Sequence, residues 1–246
     1  MKSQKKQRMG LVAAGALALG MCFAATSANA TTITASVGGV PTGADCYENF
    51  NSLALGGAAG TATACGINVS FSPQGGVVQG SSSGLYAAPV LSNGNGALFG
   101  DADGADASNY LTAGGTSGSN AQLTFATNQR YLGLLWGSVD SYNTISFYLG
   151  GSWITSFSGN DVSAAAGSGL CANGDQSLGG TCYVNINLSE AFDRVVMTSS
   201  SYAFEFDNVA FAANPLGVPE PGEIGLFLLG LGLIGSGYWF RKHRLA

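Results

Sequence analysis

The 246-residue chain is poor in charge: 9% of its residues are Asp, Glu, Lys or Arg, and fourteen acids against nine bases leave a formal net charge of -5. Within residues 31–221 thirteen acids stand against two bases, Arg130 and Arg194, and no lysine occurs between Arg8 and Lys242. That balance excludes nucleic acid and anionic membrane surfaces as partners of this span, because both draw most of their affinity from basic patches. It suits divalent cations or neutral sugars better, and the single histidine, His243, leaves no Ser-His-Asp triad to residues 31–221.

In chain order, Lys2, Lys5, Lys6 and Arg8 precede an apolar stretch from Leu11 to Ala25, and Ala28-Asn29-Ala30 puts small residues where a signal peptidase inspects them. Residues 1–30 therefore read as an export signal cut after Ala30. Met21 is too bulky to precede a lipidated Cys22. Thr31 to Val37 is β-branched and predicts a strand, whereas Cys46 to Leu55 suggests a turn or two of helix. Residues 56–64 and 72–84 are rich in Gly, Ser and Ala and read as loops. Period-two alternation predicts strands at 67–71, 123–125, 145–147 and 184–188. Tyr131 to Trp136 is apolar throughout and predicts a central strand buried on both faces. The runs 144–149 and 153–157 flank Gly150-Gly151, a two-residue hairpin signal. Asp161 to Ala166 predicts a short helix. Arg194–Thr198 and Tyr202–Phe211 look like a final strand pair, with a bulge near Asp207-Asn208 that reconciles the opposite parity of Phe204 and Phe206 with that of Val209 and Phe211. Short strands between Gly-, Ser- and Asn-rich turns predict an all-β domain over residues 31–212, a β-sandwich of jelly-roll type. A parallel β-helix would need a fixed repeat, and none is present.

Residues 213–246 form a tail of different character. Pro215, Pro219 and Pro221 mark a linker, and Val218-Pro219-Glu220-Pro221 is held extended by its prolines. Ile224 to Phe240 follows, 17 residues without a charge. As a helix it would span about 26 Å, close to the roughly 30 Å core of a bilayer. Tyr238 and Trp239 stand where an interfacial belt would lie. Arg241, Lys242, His243 and Arg244 make a basic stop that places this tip in the cytoplasm and everything between the two ends outside the inner membrane.

The order of Val218-Pro219-Glu220-Pro221, a hydrophobic helix at 224–240 and the basic residues Arg241, Lys242 and Arg244 resembles a PEP-CTERM sorting signal. The resemblance covers about residues 215 to 246. It implies recognition by an exosortase, a membrane-embedded cysteine protease of Gram-negative bacteria that cuts near the Pro-Glu-Pro motif and passes its substrate to the cell surface or the extracellular polysaccharide matrix. The strings YLGLLWGSVDSYNTISFY (131–148) and FDRVVMTSSSYAFEFDNVAF (192–211) resemble the β-domain of other exosortase-dependent surface proteins. That likeness bears on fold and processing and carries no catalytic residue.

Four cysteines lie beyond the export signal, Cys46, Cys65, Cys171 and Cys182, and an even number in an exported chain predicts two disulfides. Of three connectivities, Cys46–Cys65 with Cys171–Cys182 closes the shorter loops; no CxxC spacing supports a metal site instead. Asp101, Asp103 and Asp106 place three carboxylates within six residues, a pattern that suits Ca2+. The run lacks EF-hand order, its twelfth position is Thr112, and a solvated acidic turn is the plainer reading. Asp140 and Asn143, and Asp207 and Asn208, are further candidates for binding Ca2+ or sugar hydroxyls, or for capping turns with their own backbone. Trp136, Trp153 and Tyr142 offer faces to a sugar ring, although two of them lie in strand-like runs that favour core packing.

These features lead to the expectation of a non-enzymatic, exported surface or matrix protein that meets signal peptidase, exosortase and, through its C-terminal helix, the inner membrane, and that binds polysaccharide, with Ca2+ as the only cofactor entertained. A glycoside hydrolase built on Asp140, Glu205 or Asp207 is one alternative, since paired carboxylates cleave glycosides when their separation is right. A purely structural matrix component is the other.

Overall fold

A computed structural model describes residues 30–41, 43–115 and 118–216. The export signal up to Asn29, the Val-Pro-Glu-Pro motif, the apolar segment 224–240 and the basic tip lie outside the described residues. Among the described residues no helix is long and apolar enough to cross a membrane.

Thirteen strands follow in order: β1 (Thr32–Ser36), β2 (Cys46–Glu48), β3 (Gly60–Ala62), β4 (Ile67–Phe71), β5 (Gly76–Gln79), β6 (Val90–Leu91), β7 (Gly104–Ala105), β8 (Asn109–Ala113), β9 (Ser119–Gly137), β10 (Asn143–Leu149), β11 (Ser152–Ser158), β12 (Cys182–Ser199) and β13 (Phe204–Ala212). Helix α1 (Gly159–Ala166) and a 3-10 turn (Leu178–Gly180) lie between β11 and β12. Eleven strands join one antiparallel sheet in the order β11-β10-β12-β9-β13-β8-β5, with β1 on β12, β2 on β13, β4 on β9 and β3 on β4. The all-β expectation holds.

Two long strands organise this sheet. β9 runs for 19 residues and β12 for 18, each fusing two strands expected separately. Their mutual register slips between Asn187 and Arg194, which divides both into two working halves. Tyr131–Trp136 pairs with Cys182–Asn187, while Asn120–Thr124 pairs with Arg194–Thr198. β13 joins the first half, and β4 and β10 join the second. Side chains from both halves enter one apolar core: Leu123, Ile145, Phe147 and Val195 from one, Leu134, Trp136, Val184 and Phe206 from the other. Phe192, at the slip, packs edge-on to both Phe125 and Phe147.

The strand at 131–136 is buried on both faces, as its continuous apolar run implies. Its second face meets a smaller cluster in which Tyr131, Leu135, Tyr183 and Ala210 pack beneath Leu91 and Phe99. Residues 80–108 therefore form a strap over the outer face of the sheet. The expected hairpin is present, with Gly150 and Gly151 at φ +55° and +88°, values that a two-residue connection of this hand requires. The expected helix is present too. Ser158 and Asp161 close a reciprocal capping box, which satisfies two backbone donors that the helix leaves orphaned.

Three expectations fail. Arg194–Thr198 and Tyr202–Phe211 do not pair, because β9 lies between β12 and β13. Cys46–Leu55 is not helical: Cys46–Glu48 pairs with Val209–Phe211, and the buried Glu48 carboxylate accepts the N–H groups of Phe50 and Cys65. The segments 56–64 and 72–84 are not wholly loop, since each contributes a short strand, β3 and β5. Residues 213–216, the start of the linker, are docked: Ala213 donates its N–H to Asp45, and the Asn187 amide exchanges two hydrogen bonds with the Leu216 backbone.

Candidate functional site

Alternation along β13 turns Phe204 and Phe206 into the core and sends Glu205 and Asp207 to the opposite face. On an open sheet these acids would be solvated. Here the strap covers them, and Glu205 is 1% exposed and Asp207 fully buried.

Glu205 Oε1 accepts the Ala87 N–H at 2.8 Å, while Oε2 has no partner. Burial raises its pKa to about 7; the Ala87 bond opposes the shift and the charge of Asp140 adds to it. Glu205 contributes to a cavity of about 360 Å3 that is walled by Ser81–Ala88 and closed on one side by Tyr202. A second hollow of about 270 Å3, floored by Gly75–Val78, shares Leu85, Tyr86 and Tyr202 with the first. The two form a groove whose shared rim carries two tyrosines and a leucine, with Tyr202 and Leu85 each about two-fifths exposed.

The Glu205 shift carries a pH consequence. The group keeps its proton in the folded chain up to about pH 7, whereas an unfolded glutamate loses it near 4.5, so stability is full below pH 4.5 and falls as pH rises to 7. The expected loss is about 3 kcal/mol at 1.36 kcal/mol per pKa unit. Urea unfolding in metal-free buffer at pH 4.5 and 7.5 follows it, and Glu205→Gln should reduce the difference by about that amount, leaving the part due to the raised Asp207 and Asp101. An unchanged slope in that variant would show that Glu205 is ionised and solvated in the native chain.

The other acids divide into two roles. Asp140 accepts from the Ser138 and Tyr142 hydroxyls on Oδ2 and from the Gly174 N–H on Oδ1. Asn143 donates to the Ala203 carbonyl. Asp140 and the Asn143 amide N–H groups fix turns, while Asn143 Oδ1 is buried without a partner; a Cβ on Gly159 would meet the Asp140 carbonyl oxygen at 2.1 Å, so α1 seals this corner. Asp103 is exposed and accepts the Gly94 N–H. It stands apart from Asp101 and Asp106, which turn beneath the strap toward β13. Ser108 donates to Asp106 Oδ1 at 2.6 Å and lies 3.4 Å from Asp207 Oδ2. Burial first, then the Asp106 charge and a carboxyl–carboxyl hydrogen bond with it, and last the Asp101 charge, push the Asp207 carboxyl well above the carboxylate range, against the Asn208 N–H that lowers it. Asp101 is raised by burial and by Asp106, and the adjacent Asn208 amide draws it back. Among the described residues, no three Asp, Glu, His or Cys side chains stand at metal-ligand spacing.

Of the aromatic candidates, Trp136 is core, as its strand implies. Trp153 is not: it sits on β11, which ends the sheet, is 63% exposed and donates its indole N–H to Ser156. Tyr142 lends its hydroxyl to Asp140 and to the Tyr202 carbonyl. Sequence reasoning missed Tyr86 and Tyr202 as groove residues. The signal available for the first was an apolar Leu-Tyr pair inside a Gly/Ser-rich stretch.

Both disulfides occur in the favoured connectivity, Cys46–Cys65 and Cys171–Cys182, with Cα separations of 5.9 and 5.7 Å. The molecule is thus an all-β, doubly cross-linked protein with a groove walled by the strap, and its cross-links fit an oxidising, extracytoplasmic compartment. No protein-family model, curated protein or solved structure matches the chain.

Proposed function

We propose that this is a non-enzymatic surface or matrix protein, exported through residues 1–30 and sorted by an exosortase at Val218-Pro219-Glu220-Pro221, whose β-domain binds polysaccharide in the groove between Tyr86 and Tyr202. In this reading the domain is a jelly-roll-like sandwich, the segment 224–240 holds it in the inner membrane until cleavage, and the product reaches the cell surface. The groove carries the binding activity: tyrosine faces offer apolar contact to a pyranose ring, and a buried carboxyl that is half protonated near neutrality can donate to or accept from a hydroxyl. The low positive charge of the domain favours a neutral glycan over a polyanion.

One observation favours hydrolysis as a second reading. A carboxyl raised to about 7 is the kind of general acid that glycoside cleavage uses. The other carboxylate near it, Asp140, is committed to three hydrogen bonds, which argues against a free base or nucleophile.

Expression of the full chain with and without an exosortase, followed by intact-mass analysis and titration of the product with neutral glycans, tests the proposal. Loss of residues beyond the motif only in the protease-containing host, with saturable binding weakened about tenfold by Tyr202→Ala, is the expected result; one rim aromatic is worth about that factor. A tail retained in both hosts overturns the sorting reading. Flat titrations overturn the binding reading and leave a structural matrix component. Glycan cleavage abolished by Glu205→Gln replaces it with the hydrolase.

A further inference from the structure

We propose that Asp101 and Asp106 of the strap, together with Asp207 and Asn208 of β13, form a binding site for a Ca2+-type divalent cation. The pieces come from segments a hundred residues apart and meet for a structural reason. Successive residues of a strand ordinarily point to opposite faces, yet both Asp207 and Asn208 turn toward the strap. The bulge between Asp207 and Ala210 allows this, with Asn208 in the left-handed region at φ +52°. Asp207 then faces Asp106 across the Ser108 hydroxyl, and Asn208 stands beside Asp101.

The surroundings leave these groups undercompensated. Asp106, Asp207 and Asn208 are 2%, 0% and 1% exposed. Both amide atoms of Asn208 and one oxygen of Asp101 lack a partner in hydrogen-bond geometry, although Asn208 stands near enough to Asp101 to lower its pKa; one oxygen each of Asp106 and Asp207 has no donor but the other's carboxyl. Buried polar groups seldom go unsatisfied, and the unpartnered amide of Asn208 beside three carboxyls points to a ligand that satisfies them together. Among the described residues no Lys or Arg reaches the cluster. Arg130 and Arg194 are the only Lys or Arg among the described residues; the first binds the Ser189 carbonyl, and the second reaches Gln122 and lies over the Tyr148 ring. Every donor in the cluster is a hard oxygen from a carboxylate, an amide or a hydroxyl, the set that selects Ca2+ over zinc or copper. No three of these carboxylates stand at metal-ligand spacing, yet Asp106 and Asp207 already lie within hydrogen-bond reach of each other; a cation there releases the proton they share and draws Asp101 of the strap toward β13. Asp103, which caps Gly94 on the exposed side, is not part of the site. Because the same strap presents Ala87 to Glu205, an ion here would also brace the groove.

The test is calorimetric titration of the chelator-stripped full chain with CaCl2, alongside thermal melts. Binding of one equivalent is expected, with Kd at or below the roughly 10⁻⁴–10⁻³ M typical of extracellular modules, and a saturable rise in Tm. Asp207→Asn and Asp106→Asn should each weaken binding at least tenfold, and Asp103→Asn should leave it unchanged. Asp101→Asn, on the less buried side, serves as the third ligand variant should either buried one fail to fold. No heat and no Tm shift in the wild-type chain overturn the proposal. So does a loss of binding in Asp103→Asn equal to that in the ligand variants, which would place the ion on the surface run instead.

Discussion

Reduction of both disulfides is expected to lower the stability of the folded chain by about 6 kcal/mol, enough to consume much of the 5–15 kcal/mol that holds a typical domain together. Cys46–Cys65 closes a sequence separation of 19 and Cys171–Cys182 one of 11. By loop-closure entropy each restricts the unfolded chain by about 3 kcal/mol. The bridges lie in different parts of the sheet, so their effects should add. Cys46–Cys65 ties β2 to the turn after β3, alongside the Glu48 carboxylate that bonds the Phe50 and Cys65 N–H groups. Cys171–Cys182 anchors the long connection from α1 to the first residue of β12, and both of its cysteines are fully buried. Urea midpoints of the oxidised and reduced chain measure the effect. Coincident midpoints would mean that the unfolded chain is already as compact without the bridges, and the entropic account would fail.

The parts of this architecture that were legible in the sequence are those set by neighbours. Gly150-Gly151, the short helix at 161–166, the bulge at Asp207-Asn208, the two short-loop disulfides and the two-faced burial of 131–136 each follow from a few adjacent residues. What was not legible depends on contacts far apart in the chain. The polar stretch Thr127–Arg130 interrupts the alternation of β9, and Ser189–Asp193 does the same in β12, so each long strand read as two. Those polar residues occupy the region where the mutual register slips and where Ala126–Asn128 meet solvent. The separation of β12 from β13 by β9 is a matter of strand order, which no local pattern encodes. Trp153 was misplaced for the same reason: its run alternates like a half-buried strand, but β11 closes the edge of the sheet and turns the indole outward.

The site divides along the same line. Asp101, Asp103 and Asp106 stood out as a run, although what separates Asp103 from the other two is the path of the strap over the sheet. Asp207-Asn208 stood out as a break in a strand. Their meeting is tertiary, and so is the enclosure that raises Glu205. An acid in a strand is ordinary when its face is solvated, and it becomes a chemical group only when a segment more than a hundred residues away covers it.

Trp136→Ala is expected to cost about 4 kcal/mol, within the range for truncating a fully buried large aromatic. Trp136 has no solvent exposure and stacks on Phe204 with ring centroids 4.2 Å apart and planes 22° from parallel. Its backbone lies between Cys182 of β12 and Phe206 of β13. Removing the indole leaves a cavity at the centre of the core and takes away the surface that sets β13. Trp136→Phe separates packing from polarity. The indole N–H has no acceptor, so the smaller ring loses volume but also removes a buried orphan donor, and a net cost of about 1 kcal/mol is expected. Trp153→Ala, on the exposed edge, should change stability by less than about 0.5 kcal/mol. Urea unfolding followed by fluorescence distinguishes these variants, because of Trp136 and Trp153 only the buried Trp136 should emit at short wavelength in the native domain. Equal costs for Trp136→Ala and Trp153→Ala would show that β13 is held by its backbone pairing alone. The expected difference ties the core to the site: Phe204 directly precedes Glu205, so the stack beneath β13 also fixes which face of the strand carries Glu205 and Asp207 to the strap. Any glycan binding in the groove should therefore weaken in Trp136→Ala even where the domain remains folded.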